Sequence, residues 1–270
     1  MATNKQAKEL LEKLEEKEIL SKGSEVQTVD SLLKNDVIKK RFESVLQEKS
    51  SSFVANVLTL VKNDKYLSQV EPMSVLSGAM ISATLDLPLD KNLGYAYLVP
   101  YKNKAQFILG YKGYIQLAQR SGQYKALNVV TIYEGELVKW NRLTEEIEFD
   151  PNSRKSDTVV GYLGYFELLN GFKKVVYWTV DDMEKHRIAN NKGQNKNALS
   201  GVWASDYNAM AEKTILRHLL SKWGVLSIDM QRAVATDDSE IEMKLDDSDT
   251  SSIKVAKSYY GEEINEEIYL

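Results

Sequence analysis

The chain has 270 residues, of which 43% are hydrophobic and 27% charged, with no cysteine and a formal net charge of −4. This length suits one large domain with appendages, and the apolar fraction excludes a wholly disordered chain. The lack of cysteine excludes disulfide frameworks, cysteine-ligated zinc, iron–sulfur clusters and thiol catalysis. No apolar run approaches the roughly 18 residues of a membrane span and residues 1–22 lack a signal-peptide core, so we expect a cytoplasmic protein without a membrane partner.

The first third of the chain predicts helices. Residues 1–28 are rich in lysine and glutamate and predict a weakly anchored helical arm. From residue 29 to residue 61 the apolar residues recur at helical spacing, with a break near residues 50–52. Pro72 suits the first turn of a further helix, and Pro88 ends the helical pattern.

From residue 95 the pattern changes to the alternation of β-strands. The predicted elements are a hairpin of residues 95–101 and 104–109, a helix over residues 111–121, and strand character over residues 126–140. A polar stretch then predicts a protruding hairpin with its tip at residues 151–153. Two further strands, 159–169 and 172–179, flank Asn170-Gly171, a pair typical of a type I′ turn.

The last part of the chain predicts a helix from Asp181, a mobile loop over residues 190–200 and a final ordered helix from about Val202 to Trp223. The predicted order is helices, then strands with one embedded helix, then helices again. This order indicates an α+β fold with an antiparallel sheet. We divide the chain into the arm at residues 1–28, a core domain at residues 29–236 and an acidic tail at residues 237–270.

The charge is unevenly distributed. Residues 237–270 contain 11 acidic and three basic residues, a net charge of −8, which leaves +4 on residues 1–236. Within the core, residues 91–133 contain six lysines or arginines and no acidic residue. A field of one sign is the electrostatic feature expected for a polyanion partner, although a solvated basic surface is the simpler alternative.

The helix over residues 111–121 has two contrasting faces. At 100° per residue, Lys112, Gln116, Gln119 and Arg120 share one face, and the apolar residues share the other. The apolar face predicts packing on the sheet. The polar face contains cations and amides without any glutamate, so it predicts either a phosphate-binding surface or an ordinary amphipathic helix.

A second basic site lies on the predicted final helix. Lys213 and Arg217 are four residues apart, so they repel each other unless an anion lies between them. The alternative is that each side chain pairs with a carboxylate of the protein. Seven of the 15 tyrosines, Tyr111 among them, lie between residues 95 and 133, where their rings could stack on unpaired bases.

Signals for catalysis are weak. The chain has no Walker-type or dinucleotide-binding glycine motif, and Gly110-Tyr111-Lys112-Gly113 is too short to surround a nucleotide. The two histidines, His186 and His218, lack metal-ligand spacing. Glu134 and Glu136 resemble half of a metal-dependent nuclease motif, without an aspartate that could share the metal. We therefore predict no catalytic and no metal-binding residue.

Three runs resemble the RecT family of phage and prophage single-strand DNA annealing proteins. They are residues 90–101 (DKNLGYAYLVPY), residues 106–123 (QFILGYKGYIQLAQRSGQ) and residues 210–217 (MAEKTILR). The position before Lys213 is often lysine in the family and is Glu212 here, and the tail matches no family pattern. The resemblance implies a β-β-β-α core and ATP-independent pairing of complementary strands, without ATP or another cofactor and with magnesium at most as a modulator.

The resemblance also implies a DNA-binding groove. Its implied lining is Lys102, Lys104, Gln106, Lys112, Gln116, Arg120 and Lys125, closed from the other side by Lys213 and Arg217. Tyr111, and Trp140 at the base of the protruding hairpin, could splay bases for pairing. Cations that neutralise phosphates would make the affinity fall steeply with salt, while Watson–Crick pairing supplies the sequence specificity.

The implied partners are single-stranded DNA, the annealed duplex and further copies of the chain in a ring or helical filament. A phage exonuclease and the single-strand-binding protein of a bacterial host are further possible partners. Two alternatives remain open from the sequence: a single-strand DNA-binding protein without annealing activity, and a metal-dependent nuclease.

Overall fold

The computed structural model describes residues 27–191, 193, 195–225 and 227–237, together with the backbone of three short strands closer to the C-terminus. The helices are α1 (Val29–Leu33), α2 (Asp36–Leu46), α3 (Ser50–Asn63), α4 (Pro72–Thr84), α5 (Tyr111–Arg120), α6 (Val180–Asn190), α7 (Val202–Ser205), α8 (Tyr207–Trp223) and α9 (Ile228–Thr236). The strands are β1 (Ala96–Tyr101), β2 (Lys104–Leu109), β3 (Tyr124–Tyr133), β4 (Leu137–Asn141), β5 (Glu146–Phe149), β6 (Val159–Leu168), β7 (Lys173–Thr179), β8 (Ile241–Met243), β9 (Ser252–Val255) and β10 (Glu267–Tyr269). The predicted N-terminal arm lies outside the described residues except for its last two positions.

Helices α1 to α4 form the N-terminal part, with α4 at its centre. Helix α4 begins with Pro72 in its first turn, as predicted, and ten consecutive positions from Ser74 to Ala83 are buried. A helix that is apolar on all sides belongs in a core, and its serines satisfy their own polar groups. The Ser74 hydroxyl donates to the Glu71 carbonyl oxygen at 2.6 Å, and that of Ser82 donates to the Leu87 carbonyl oxygen at 2.6 Å.

The predicted hairpin of β1 and β2 is confirmed, with the two strands antiparallel from Ala96 opposite Leu109 to Tyr101 opposite Lys104. It packs on α4 and leads into α5. The two faces predicted for α5 are also confirmed, because Tyr114, Leu117 and Ala118 are buried, whereas Lys112 is exposed.

Strands β3, β6 and β7 form a three-stranded antiparallel sheet with β6 in the middle. Helix α6 follows β7 directly, which gives the predicted β-β-β-α order with the β4–β5 hairpin inserted. Helix α8 packs across the sheet at Gly164, where an added Cβ would lie 2.6 Å from Cγ2 of Ile215. The predicted α+β class is therefore confirmed. The strands are antiparallel, and helices precede and follow them in the sequence.

The position of one predicted turn was wrong. The tip of the β4–β5 hairpin is at residues 142–145, where the Asn141 side-chain oxygen accepts from the backbone N–H groups of Leu143 and Thr144. Residues Pro151–Ser153 form a short 3₁₀ helix at the base instead, close to Gly135. Asp150 caps this helix through the N–H of Asn152, so the proline marks a helix start and not a loop tip.

The β6–β7 hairpin is confirmed, but its predicted type I′ turn was wrong. Gly171 has a positive φ of 87°, whereas Asn170 is not among the residues with positive φ. The N–H of Gly171 donates to the Leu168 carbonyl oxygen at 3.0 Å, and the N–H of Leu168 donates to that of Phe172 at 2.8 Å. These bonds define a three-residue loop that ends in a left-handed glycine, the second common way to join two strands.

The predicted final helix is divided, and it is not the last ordered element. Asp206 interrupts it, and its carboxylate caps α8 by accepting from the N–H of Ala209 at 3.0 Å. Ser227 caps the additional helix α9 in the same way through Met230. Helix α9 packs on α5 and β2, so the core continues through residue 237. No helix in the described part of the chain is long and apolar enough to span a membrane.

Candidate nucleic-acid interface

A cleft of about 560 Å³ separates the β1–β2 hairpin from helices α6 and α8. One wall is the outer face of the hairpin, the opposite wall is α8, and the segment between α6 and α7 forms a rim. The hairpin contributes Val99, Tyr101, Gln106 and Ile108, and α8 contributes Met210, Lys213, Thr214 and Arg217. The remaining lining residues are His186, Arg187, Asn190, Asn191, Gly193, Ser200 and Trp203.

The cleft brings together three residues of the predicted site: Gln106, Lys213 and Arg217. Gln106 is on β2, and Lys213 and Arg217 are on α8, so the three residues come from different walls of the cleft. Lys213 is partly exposed and makes no ion pair with the described residues. It therefore presents a cation to the cleft.

Arg217 has a different environment from Lys213 although the two lie one turn apart. Its Nη1 atom is 3.3 Å from Oδ2 of Asp237, whose side chain is fully buried. Asp237 also accepts from the N–H of Leu109 at 2.8 Å and from the Tyr114 hydroxyl at 2.7 Å. The anion that relieves the Lys213–Arg217 repulsion is thus a carboxylate of the protein, at a position that the sequence assigned to the acidic tail.

The other basic residues of the β-hairpin lie at its turn. Lys102 is exposed, and its Nζ atom is 5.5 Å from the centre of the Tyr101 ring, which itself lines the cleft. Lys104 pairs with Tyr101 in the ladder and is partly buried. These two lysines therefore continue the basic surface beyond the hairpin end of the cleft.

Helix α5 places its polar residues outside the cleft lining. Lys112 is exposed and Gln116 partly exposed. Arg120 binds the end of α4: its guanidinium donates to the carbonyl oxygens of Leu85 at 2.6 Å and Asp86 at 2.7 Å. Cations stabilise the carbonyl end of a helix, so Arg120 has a structural contact that the sequence did not predict.

Lys125 and Trp140 lie on other parts of the surface. Lys125 forms an ion pair with Glu167 at 2.9 Å, which lowers the pKa of the Glu167 carboxyl. Trp140 packs edge-on against Tyr177 with ring centres 6.0 Å apart, and lines a separate pocket of about 660 Å³ beside β7. The structure does not bring either residue to the cleft.

Three tyrosines of the basic stretch, Tyr111, Tyr114 and Tyr124, pack against or within the core. Tyr111 is half-buried, and burial raises the pKa of its hydroxyl. Tyr114 is completely buried against Asp237, and the Tyr124 hydroxyl accepts from the N–H of Val225 at 2.8 Å. Of the seven, Tyr101 is the one that lines the cleft.

Glu134 and Glu136, the two carboxylates of the nuclease hypothesis, accept hydrogen bonds from nearby residues of the chain. Glu136 is buried and accepts from the N–H of Tyr133 at 2.8 Å, and Glu134 accepts from the Ser156 hydroxyl at 2.7 Å. Among the described residues, no three histidine, aspartate or glutamate side chains are grouped so that they could hold a metal ion.

Three cleft residues, Arg187, Asn190 and Trp203, were not predicted from the sequence. Trp203 is the aromatic residue that follows a segment rich in asparagine, and an aromatic residue next to such a polar loop is a usable signal. Arg187 and Asn190 had no comparable signal, since a polar residue on an amphipathic helix is normally a solvent contact. His186 also lines the cleft, and burial together with nearby Arg217 lowers the pKa of its imidazole.

Comparisons with known proteins identify the family of the chain. Residues 51–252 match the family model described as the RecT family, a stretch that contains the whole cleft. The chain is 51% identical over 239 residues to the uncharacterized protein YqaK of Bacillus subtilis, which covers 88% of this chain and 81% of YqaK. It is 30% identical over 202 residues to Protein RecT of Escherichia coli, with 72% of each chain covered. The chain belongs to the RecT family, and this membership supports a role in DNA recombination and single-strand DNA annealing.

Proposed function

We propose that this protein pairs complementary single strands of DNA without ATP, and that the cleft between the β1–β2 hairpin and α8 holds one strand. The observation that carries the proposal is the family match over residues 51–252. The cleft adds a physical basis, because it is lined by a cation without an ion-pair partner among the described residues, an amide and aromatic rings.

The proposed mechanism separates affinity from specificity. Lys213 binds a phosphate, while Lys102 and Lys104 attract the strand at the end of the hairpin. Because these contacts are to the backbone, the edges of the bases stay available for a second strand. Neutralisation of phosphates also reduces the repulsion between two strands, so the paired product is stabilised and the affinity falls with salt.

The assembly, the cellular location and the protein partners are part of the same proposal. We expect further copies of the chain to assemble on the DNA as a ring or helical filament, in the cytoplasm of a bacterium. An exonuclease would supply the single strands, and the single-strand-binding protein of the host is a second expected partner. The proposed reaction makes and breaks no covalent bond, so it needs no catalytic residue, and magnesium would act by screening phosphates.

The test mixes two complementary oligonucleotides with the full-length protein in the absence of ATP, with and without magnesium. The expected result is duplex formation several times faster than without protein, with oligonucleotides of unchanged length. A non-complementary pair is the control and should stay unpaired.

Each alternative has its own outcome in this experiment. Salt-sensitive binding without faster pairing identifies a single-strand-binding protein and contradicts the annealing proposal. Shortened strands in the presence of magnesium identify a nuclease and contradict it as well. The variant Glu136→Ala would then abolish the shortening.

A further inference from the structure

Residues 196–198, which lie between α6 and α7, are held by the side chain of Arg187. Arg187 is buried, and its Nη1 and Nη2 atoms donate to the carbonyl oxygens of Ala198 at 3.1 Å and Asn197 at 2.9 Å. Nη1 also lies 3.4 Å from the carbonyl oxygen of Lys196. The Asn191 amide donates to the Lys196 carbonyl oxygen at 2.9 Å. Three consecutive carbonyl groups are therefore held at one place, although the composition of this segment predicts a mobile loop.

Arg187 is in turn fixed by Glu184, one turn earlier on α6. The pair is bidentate, with Nε 2.8 Å and Nη2 2.6 Å from the carboxylate oxygens of Glu184. This planar fork is the strongest geometry available to an arginine–carboxylate pair. It lowers the pKa of Glu184, so the pair stays charged at neutral pH.

The same glutamate also anchors the other end of the segment. The Tyr207 hydroxyl donates to Glu184 at 3.0 Å, and the ring of Tyr207 packs edge-on against Trp203 with centres 5.1 Å apart. Trp203 is thus held between two fixed points, the Arg187-bound carbonyl groups before it and Tyr207 after it. It is partly exposed and lines the same cleft as Lys213 and Tyr101.

We propose that Trp203 stacks on an unpaired base of the bound strand, and that Arg187 is the positioning residue that holds Trp203 and its segment as a rigid wall of the cleft. This inference rests on the proposed function. In the proposed function, Lys213 binds a phosphate in this cleft. The indole of Trp203 would then provide the surface on which an unpaired base stacks. A wall that is rigid before binding avoids the entropy cost of ordering a loop on the DNA.

The first experiment measures binding of full-length Trp203→Ala and Trp203→Phe to fluorescein-labelled oligothymidylate over a series of salt concentrations. Trp203→Ala should weaken binding about tenfold, which is within the range for loss of one stacked base. The slope of affinity against salt should not change, because no phosphate contact is lost. Trp203→Phe keeps a ring and should recover most of the affinity.

Three controls identify the origin of the effect. Lys213→Ala should lower the salt slope by about one, since it removes a phosphate contact. Tyr66→Ala removes an exposed aromatic ring that does not line the cleft and should bind like the wild type. An abasic oligonucleotide of equal length should bind equally well to the wild type and to Trp203→Ala. A tenfold loss on the abasic strand as well would overturn stacking.

The second experiment tests Arg187 through Arg187→Lys, which keeps the charge but loses the planar fork. We expect weaker oligothymidylate binding at an unchanged salt slope, together with faster trypsin cleavage after Lys196. Normal affinity and normal cleavage would contradict the positioning role. If the wild type itself binds no single strand, the proposed function fails; if it binds and Trp203→Ala binds equally well, this inference alone fails.

Discussion

Lys213 and Arg217 show how two like residues one turn apart on α8 acquire different roles. Lys213 has no ion-pair partner among the described residues, whereas Arg217 is next to a buried carboxylate. A buried ion pair adds little net stability, but removal of one partner is expensive because the other charge stays buried. Arg217 therefore stabilises the fold through Asp237, whereas Lys213 in the same cleft presents its charge to the cleft.

Because Asp237 is the buried partner of Arg217, we expect Asp237→Ala to cause a large loss of stability. The substitution removes the partner of Arg217 and leaves the Leu109 N–H and the Tyr114 hydroxyl without their acceptor. We expect the free energy of unfolding in urea to fall by about 3–5 kcal/mol. Asp181→Ala, which removes an exposed partner of Lys185, is the control and should change it little. A loss below about 1 kcal/mol for Asp237→Ala would contradict the structural role.

The partly buried imidazole of His218 should make the stability of the protein depend on pH. Burial, and then the nearby charges of Lys222, His186 and Lys174, lower the pKa of His218 to about 4. The unfolded chain takes up this proton near the ordinary pKa of 6.5, so between pH 6.5 and 4 the unfolded state binds more protons and stability falls as the pH falls.

The measurement is thermal unfolding at pH 7 and pH 5. His218→Gln stays neutral at both values, so its melting temperature should drop less than that of the wild type. The pKa of His186 is lowered too, which should leave a residual dependence in the variant. An equal drop in both proteins would show that His218 does not carry the effect.

At the scale of elements, the glycines at the start of α5 are needed for packing. A Cβ on Gly110 would lie 2.1 Å from the Gly94 carbonyl oxygen, and one on Gly113 would lie 2.2 Å from that of Tyr95. The glycines of residues 110–113, a run too short to surround a nucleotide, therefore let α5 approach the backbone before β1.

We accordingly predict that Gly113→Ala destabilises the protein by about 1–3 kcal/mol, the usual range for overpacking, or by more because the clash is with backbone. Gln119→Ala on the exposed side of the same helix is the matched control and should be nearly neutral, since alanine is a good helix former. Urea denaturation of the two variants provides the comparison. A neutral Gly113→Ala would mean that α5 can move away from β1 at little cost.

For the whole molecule, the net charge of −4 combines a basic core with an acidic C-terminal region. Asp237, the first acid of that region, belongs to the buried core, and the strand β8 lies against α4. The acidic region therefore begins next to the cleft, because Asp237 contacts Arg217, which lines it. An acidic segment anchored there can compete with DNA phosphates through charge alone.

Truncation after residue 240 tests this competition, since it removes eight acidic and three basic residues but keeps Asp237. We expect tighter binding of oligothymidylate, with the largest difference at low salt, where charges interact over longer distances. A full-length variant with those eight acids changed to amides separates charge from chain length and should behave like the truncation. Unchanged affinity in both would favour a docking role for this region.

The local pattern of the sequence determined the α+β class, the β1–β2 hairpin, the two faces of α5 and the family, because periodicity and motifs are encoded within a few residues of each other. The type I′ turn predicted at Asn170-Gly171 was wrong, because a three-residue loop accepts the same glycine. Only the tertiary structure decided that Arg217 pairs with Asp237 and that Arg187 holds the wall beside Trp203. Helical spacing places a side chain on a face, but the partner on that face comes from a distant element and depends on how the whole chain packs.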